Sequence, residues 1–156
     1  MKNCKELIAL LNLKDIGNHV FTGNSVAIGS PVVFGGQVLA QAINAAYRTI
    51  PEKRILHSLH SYFLEAGNLT IPIKYHVSEV RNGGSFSTRR VKATQNEVTI
   101  FILAASFHKK EVGFEHQKSI KIDLKQPEEL ISWSEIVNQF GDFIPKKNER
   151  IFKYRK

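Results

Sequence analysis

A chain of 156 residues and 17.7 kDa has material for one ordinary domain rather than two. Apolar residues at 42% and charged residues at 23% match globular averages, which argues against a disordered or fibrous protein. The net charge of +8 is concentrated at the C-terminus. Between Phe143 and Lys156, six basic residues face a single acid, Glu149, so that stretch supplies +5 and the other 142 residues only +3. Such a run reads as a solvated end more readily than as a nucleic-acid contact, and no helix-turn-helix, zinc or RNA-motif spacing accompanies it.

No stretch approaches the ~20 apolar residues of a membrane span. The run Leu7–Leu13 is short, is broken by Asn12 and lacks a small-residue cleavage site, so no signal peptide is expected. One cysteine, Cys4, cannot form a disulfide within the chain, which points to a cytoplasmic protein.

In chain order, Leu7, Ile8, Leu10 and Leu11 predict a short amphipathic helix within 5–13. A strand is expected over His19–Ile28. Gly35-Gly36 then opens a helix from Gln37 to Arg48 whose broad stripe of Val38, Ala42, Ala45 and Ala46 suits a helix wrapped by a sheet. From Ile55 to Lys109 the pattern is strand. Ile71, Ile73, Tyr75 and Val77 alternate with polar positions, Arg81-Asn-Gly-Gly-Ser85 and Gln95-Asn96-Glu97 mark turns, and Val98–Phe107 predicts a central strand buried on both faces. Ser132-Trp-Ser-Glu135 predicts a capped helix reaching Phe140. The expected fold is α+β: a curved antiparallel sheet around one central helix in residues 1–117, followed by a connector or appendage over 118–156.

No phosphate-binding glycine loop, Cys/His metal spacing or nucleophile elbow is present, so neither a cofactor nor a metal is expected. Three features carry possible chemistry. Phe34-Gly35-Gly36 at a helix start offers unpaired N–H groups that can polarise a carbonyl, or else only a tight turn. His57 and His60 differ in strand parity and are expected on opposite faces, which argues against a shared metal; either is a cleft residue or a structural histidine. Arg89 and Arg90 also alternate, and Arg90 shares a face with Lys92. That face suits phosphate groups, or is a strand guarded by charge.

Four blocks together resemble the N-terminal half of the acyl-CoA thioesterase II family: Phe34-Gly-Gly-Gln-Val-Leu-Ala-Gln-Ala42, His57-Ser-Leu-His-Ser-Tyr-Phe-Leu64, Arg81-Asn-Gly-Gly-Ser-Phe-Ser-Thr-Arg-Arg-Val91 and Gly113-Phe-Glu-His-Gln117. They occur in the family's order. The resemblance implies a hot-dog fold and metal-free hydrolysis of acyl-CoA to fatty acid and CoA. It marks Phe34, Gly35, Gly36 and Gln37 for substrate, and His57 for catalysis; Arg89 and Arg90 join the substrate set as phosphate ligands. Family members carry two hot-dog repeats, with catalytic Asp, Ser or Thr, and Gln in the second, which has no counterpart here. Two expectations follow: a thioesterase assembled as a homo-oligomer by hot-dog pairing, or a half-length chain that binds acyl-CoA or a partner chain without hydrolysis.

Overall fold

Asn3 opens helix α1 (Cys4–Leu11) by accepting a hydrogen bond from the Glu6 amide at 3.0 Å. The computed structural model containing it describes residues 3–51, 53–119 and 123–140. Strands β1 (Lys14–Asp15) and β2 (Val20–Gly23) follow as a hairpin, turned by Gly17, Asn18 and His19 with φ of 91°, 51° and 57°. The strand expected to reach Ile28 stops at Gly23, because glutamine side chains take over the next backbone groups. Gln37 accepts from the Val26 amide at 3.1 Å, and Gln37 and Gln41 both donate to the Asn24 carbonyl, at 3.2 and 3.1 Å. With those groups satisfied, no neighbouring strand is needed.

Helix α2 (Gly35–Tyr47) comes next, and Pro51 bars its continuation. Strands β3 (Arg54–Phe63), β4 (Ile73–Asn82), β5 (Phe86–Gln95) and β6 (Val98–Lys109) complete an antiparallel sheet in the order β1-β2-β4-β5-β6-β3. Asn96 and Glu97, at φ of 46° and 65°, form the two-residue turn between β5 and β6 that matches strand twist. β3 crosses to the far side and lies along β6, so it forms one edge of the sheet.

The sheet buries one face against α2. Ala42, Ala45 and Ala46 are fully buried, and their small side chains let Tyr75, Val91, Phe101 and Phe107 approach the helix. Among these apolar groups lies one paired polar contact. Tyr75 donates to Gln41 Oε1 at 2.7 Å while Gln41 Nε2 holds the Leu10 carbonyl at 2.8 Å. Burial pushes the Tyr75 hydroxyl far above its usual pKa, so it remains a donor.

β6 is central, but only one of its faces is fully covered. Phe101, Leu103, Ala105 and Phe107 are buried, whereas Ala104 between them is exposed and Ile102 and Ser106 are half-buried. The expectation of burial on both faces fails because α2 packs on the inner side of the sheet and leaves Ala104 on the other side exposed. Among the described residues no helix is long and apolar enough to cross a membrane.

The chain divides into two compact units, Met1–Glu111 and Val112–Lys156, with the division ahead of the expected one after Gln117. In the second unit, helix α3 (Trp133–Phe140) starts with the expected capping box: Ser132 N–H donates to Glu135 at 2.7 Å and Glu135 N–H to Ser132 Oγ at 3.2 Å. The basic run 143–156 lies outside the described residues.

Candidate functional site

The first turn of α2 borders a groove of about 330 Å3. Its walls are Val33, Val38, Phe63, Ile100 and Phe101 together with the stretch Leu64–Gly67. Two backbone ties shape it: Val33 N–H donates to the Gly67 carbonyl, and Leu64 N–H to the Ile100 carbonyl, both at 2.9 Å. The residues that line it are apolar apart from Glu65, and backbone groups add polar surface between them.

Gly35 and Gly36 each pack closely against an aromatic ring. A Cβ on Gly35 would lie 2.9 Å from Phe63 Cε1, and one on Gly36 would lie 2.5 Å from Phe34 Cε1. No side chain caps this helix start. The Phe34 carbonyl accepts from Gln37 and Val38, while the Gly35 and Gly36 amides have no acceptor among the described residues. Uncapped first-turn amides beside an apolar groove can stabilise charge that develops on a carbonyl oxygen. Of the four residues expected here, Gly35 lines the groove, Gly36 follows it and Phe34 is half exposed. Gln37 turns inward to hold the backbone of Asn24 and Val26. It is therefore a positioning side chain for the loop before α2.

His57 lies elsewhere. The pairing of β3 with β6 shifts between Leu56 and Ser58, so His57 is the extra residue of a bulge. Its Nε2 is 2.8 Å from Ser106 Oγ, and its ring contacts Phe86 and His108 at 5.6 and 6.0 Å between centroids. Ser106 and His108 alternate with buried Phe107, so His57 faces the outer side of the sheet. His60 pairs with exposed Ala104 and also faces outward. The parity argument that put the two histidines on opposite faces is corrected by the bulge, which adds one residue between them. His57 is separated from the groove residue Phe63 by six positions, roughly 20 Å of strand, and by the thickness of the sheet. Within one copy the structure does not bring His57 and Gly35 together.

Arg89 and Arg90 part company. Arg89 is 0% exposed. Its guanidinium donates to Thr49 Oγ1 and the Thr49 carbonyl at 2.8 and 2.6 Å, to Asn82 Oδ1 at 2.8 Å, and to the Thr88 and Arg81 carbonyls at 3.0 and 3.1 Å. Glu79 lies 3.5 Å away. Burial pulls the Arg89 pKa down and Glu79 draws it back up. All its donors are occupied, so no phosphate reaches it in this structure. Arg90 is exposed on the outer face. Glu65 was outside every motif block, and its place in the groove follows from the Leu64–Ile100 tie, which the sequence does not announce. Among the described residues no cluster of three or more His, Cys, Asp or Glu could hold a metal ion.

A curled antiparallel sheet around one central helix, with a groove at the helix start, defines the hot-dog class. The family model for the acyl-CoA thioesterase N-terminal domain matches residues 21–108, and the chain belongs to that family. It is 42% identical over 140 residues to acyl-CoA thioesterase 2 of Haemophilus influenzae, an alignment covering 90% of this chain and 49% of the relative. It is 37% identical to human acyl-coenzyme A thioesterase 8, over 84% of this chain and 41% of that one. The crystal structure of acyl-CoA thioesterase II TesB2 from Mycobacterium marinum superposes with a TM-score of 0.66 at 34% identity, covering 75% of this chain and 43% of that one. The chain thus spans about half the length of the curated relatives it matches.

Proposed function

We propose that this chain binds acyl-CoA with the acyl group in the groove beside Gly35 and takes part in hydrolysis of the thioester. The observation that carries the reading is the groove itself: mostly apolar side chains, uncapped helix amides and one acidic residue, Glu65, on its lining. In this scheme Glu65 takes a proton from water and the water oxygen attacks the thioester carbon. The developing oxyanion is held by the Gly35 and Gly36 amides. The C–S bond then breaks, and the CoA thiolate leaves and is protonated. The names of the relatives support the substrate class and the reaction type. A cytoplasmic setting is supported by the single cysteine.

His57 contributes to this chemistry only if a second copy, or a second repeat, brings it to a groove. Homo-oligomerisation through hot-dog pairing is supported by β3, an edge strand whose Ile55, Leu59, Tyr62 and Phe63 are all exposed. The same exposed edge favours one alternative: a chain that holds acyl-CoA and awaits a complementary repeat before any hydrolysis occurs.

The test is CoA thiol release by the purified chain on short-, medium- and long-chain acyl-CoA, with Glu65→Gln and His57→Ala alongside and oligomeric state measured by sedimentation. Turnover that falls in Glu65→Gln, with acyl-CoA binding kept, supports hydrolysis at the groove. Turnover unchanged in both variants refutes these assignments. Binding without turnover selects the half-length alternative.

A further inference from the structure

The outer face of the sheet carries a charge pattern that the groove does not use. The registers of three strands place His60, Ala104 and Arg90 in one row across β3, β6 and β5. The next row is Tyr62, Ile102 and Lys92. With strands about 4.8 Å apart, His60 and Arg90 stand about 10 Å from each other, with a methyl group between them. Ala104 is exposed and carries the shortest side chain of its row, between an arginine and a histidine. Arg90 and Lys92 have neither hydrogen-bond nor ion-pair partners among the described residues, and neither row contains a carboxylate. The nearby acids have other partners within ion-pair distance: Glu97 holds Lys74 at 3.1 Å and also attracts Lys92 from further off, and Glu79 lies beside Arg89 and His19. Tyr62 is 57% exposed and its ring contacts His60 at 4.7 Å between centroids.

We infer that this face is a nucleotide-phosphate site, with phosphate over Ala104 held by Arg90, Lys92 and a His60 N–H, and the base stacked on Tyr62. A guanidinium binds phosphate bidentately, a lysine adds a point charge, and an exposed aromatic ring accepts any base. The inference deepens the proposed function and rests on it in one respect: acyl-CoA carries its acyl group and its adenosine phosphates at opposite ends of a flexible arm. Phe63 and Tyr62 are neighbours on opposite faces of β3, the first lining the groove and the second facing the proposed base. One ligand passing over this end of the strand reaches both.

The experiment is calorimetric titration of the full chain with adenosine 3′,5′-bisphosphate, and separately with pyrophosphate, at low and high salt. Arg90→Gln is expected to weaken bisphosphate binding by about ten- to hundredfold. Ala104→Phe is expected to abolish it by placing a ring between Arg90 and His60. Tyr62→Leu is expected to weaken the bisphosphate and leave pyrophosphate unchanged. The three substitutions are at exposed positions, and unchanged melting confirms intact folding. No bisphosphate binding by the natural chain overturns the inference, as does binding indifferent to Arg90→Gln and Ala104→Phe. Equal effects of Tyr62→Leu on both ligands, or none on either, overturn the nucleotide assignment in favour of a simple anion. Bisphosphate binding that depends on Arg90 in a chain that releases no CoA leaves this inference standing and removes the hydrolysis reading alone.

Discussion

Replacing Arg89 by methionine separates a structural arginine from a ligand-binding one. Methionine keeps roughly the volume but removes five donated hydrogen bonds and the charge beside Glu79. The Thr49 carbonyl then loses its donor in a place with no solvent access to the guanidinium, while Asn82 Oδ1 keeps the Ser87 hydroxyl at 2.9 Å. Breaking a buried charged pair by removing one partner costs about 3–5 kcal/mol, and orphaned buried acceptors account for much of it. Glu79 is 35% exposed, so water screens its share and the lower end is the better figure. For a unit of this size 1 kcal/mol corresponds to about 4–8 °C, so Tm should fall by at least about 12 °C. Thermal and urea unfolding followed by circular dichroism, with Arg90→Gln as the exposed neighbour, provide the measurement. Arg90→Gln should melt within ~2 °C of the natural chain, as surface substitutions do. An Arg89→Met protein that keeps its stability but loses acyl-CoA affinity would refute the structural role and return Arg89 to the ligand set.

Three further outcomes follow from packing and titration. Gly35→Ala puts a Cβ 2.9 Å from the Phe63 ring, which must swing into the groove; because Phe63 is 57% exposed, Tm should move by less than ~4 °C while acyl-CoA affinity falls at least about tenfold, read by calorimetry. Tyr75→Phe leaves Gln41 Oε1 buried without its donor and should cost about 1–2 kcal/mol in urea unfolding. His76 has its pKa lowered from 6.5, first by burial and then by Lys92, with Glu97 opposing. The unfolded chain therefore takes up this proton more readily, so the His76 contribution is present above about pH 6.5 and is lost as pH falls below it. Tm measured between pH 7.5 and 5.0 should drop less steeply in His76→Asn than in the natural chain.

The helix, the hairpin strands and their turns were legible because each is written in short-range chemistry: the alanine stripe of α2, the alternation through Tyr75, and Asn96 in a turn. Parity was legible only where one face is unmistakably apolar. Along β5 the inward set is Ser87, Arg89, Val91 and Ala93, and a polar start hides it; extending the parity of Val91 and Ala93 backward would have placed Arg89 inside. The open outer side of β6 was not legible because Ile102 and Ala104 count as apolar without being covered. The position of His57 was not legible at all, since a bulge among Leu, His and Ser leaves no compositional mark. Glu65 entered the groove through a backbone tie to Ile100, and long-range ties of this kind have no local signature.

That bulge also makes one position of β3 dispensable in register terms. Leu56 and Leu59, three apart, pair with the buried inward residues Phe107 and Ala105, because His57 and Ser58 both lie on the outer side between them. Removing residue 57 would leave a regular strand in which Leu56, Leu59, Ser61 and Phe63 keep their present face. Removing any single residue from Leu59 to Tyr62 would instead turn part of the strand inside out. A chain shortened by His57 alone should therefore fold with an uninterrupted β3–β6 ladder, which makes its loss a test of that histidine's chemistry rather than of the sheet.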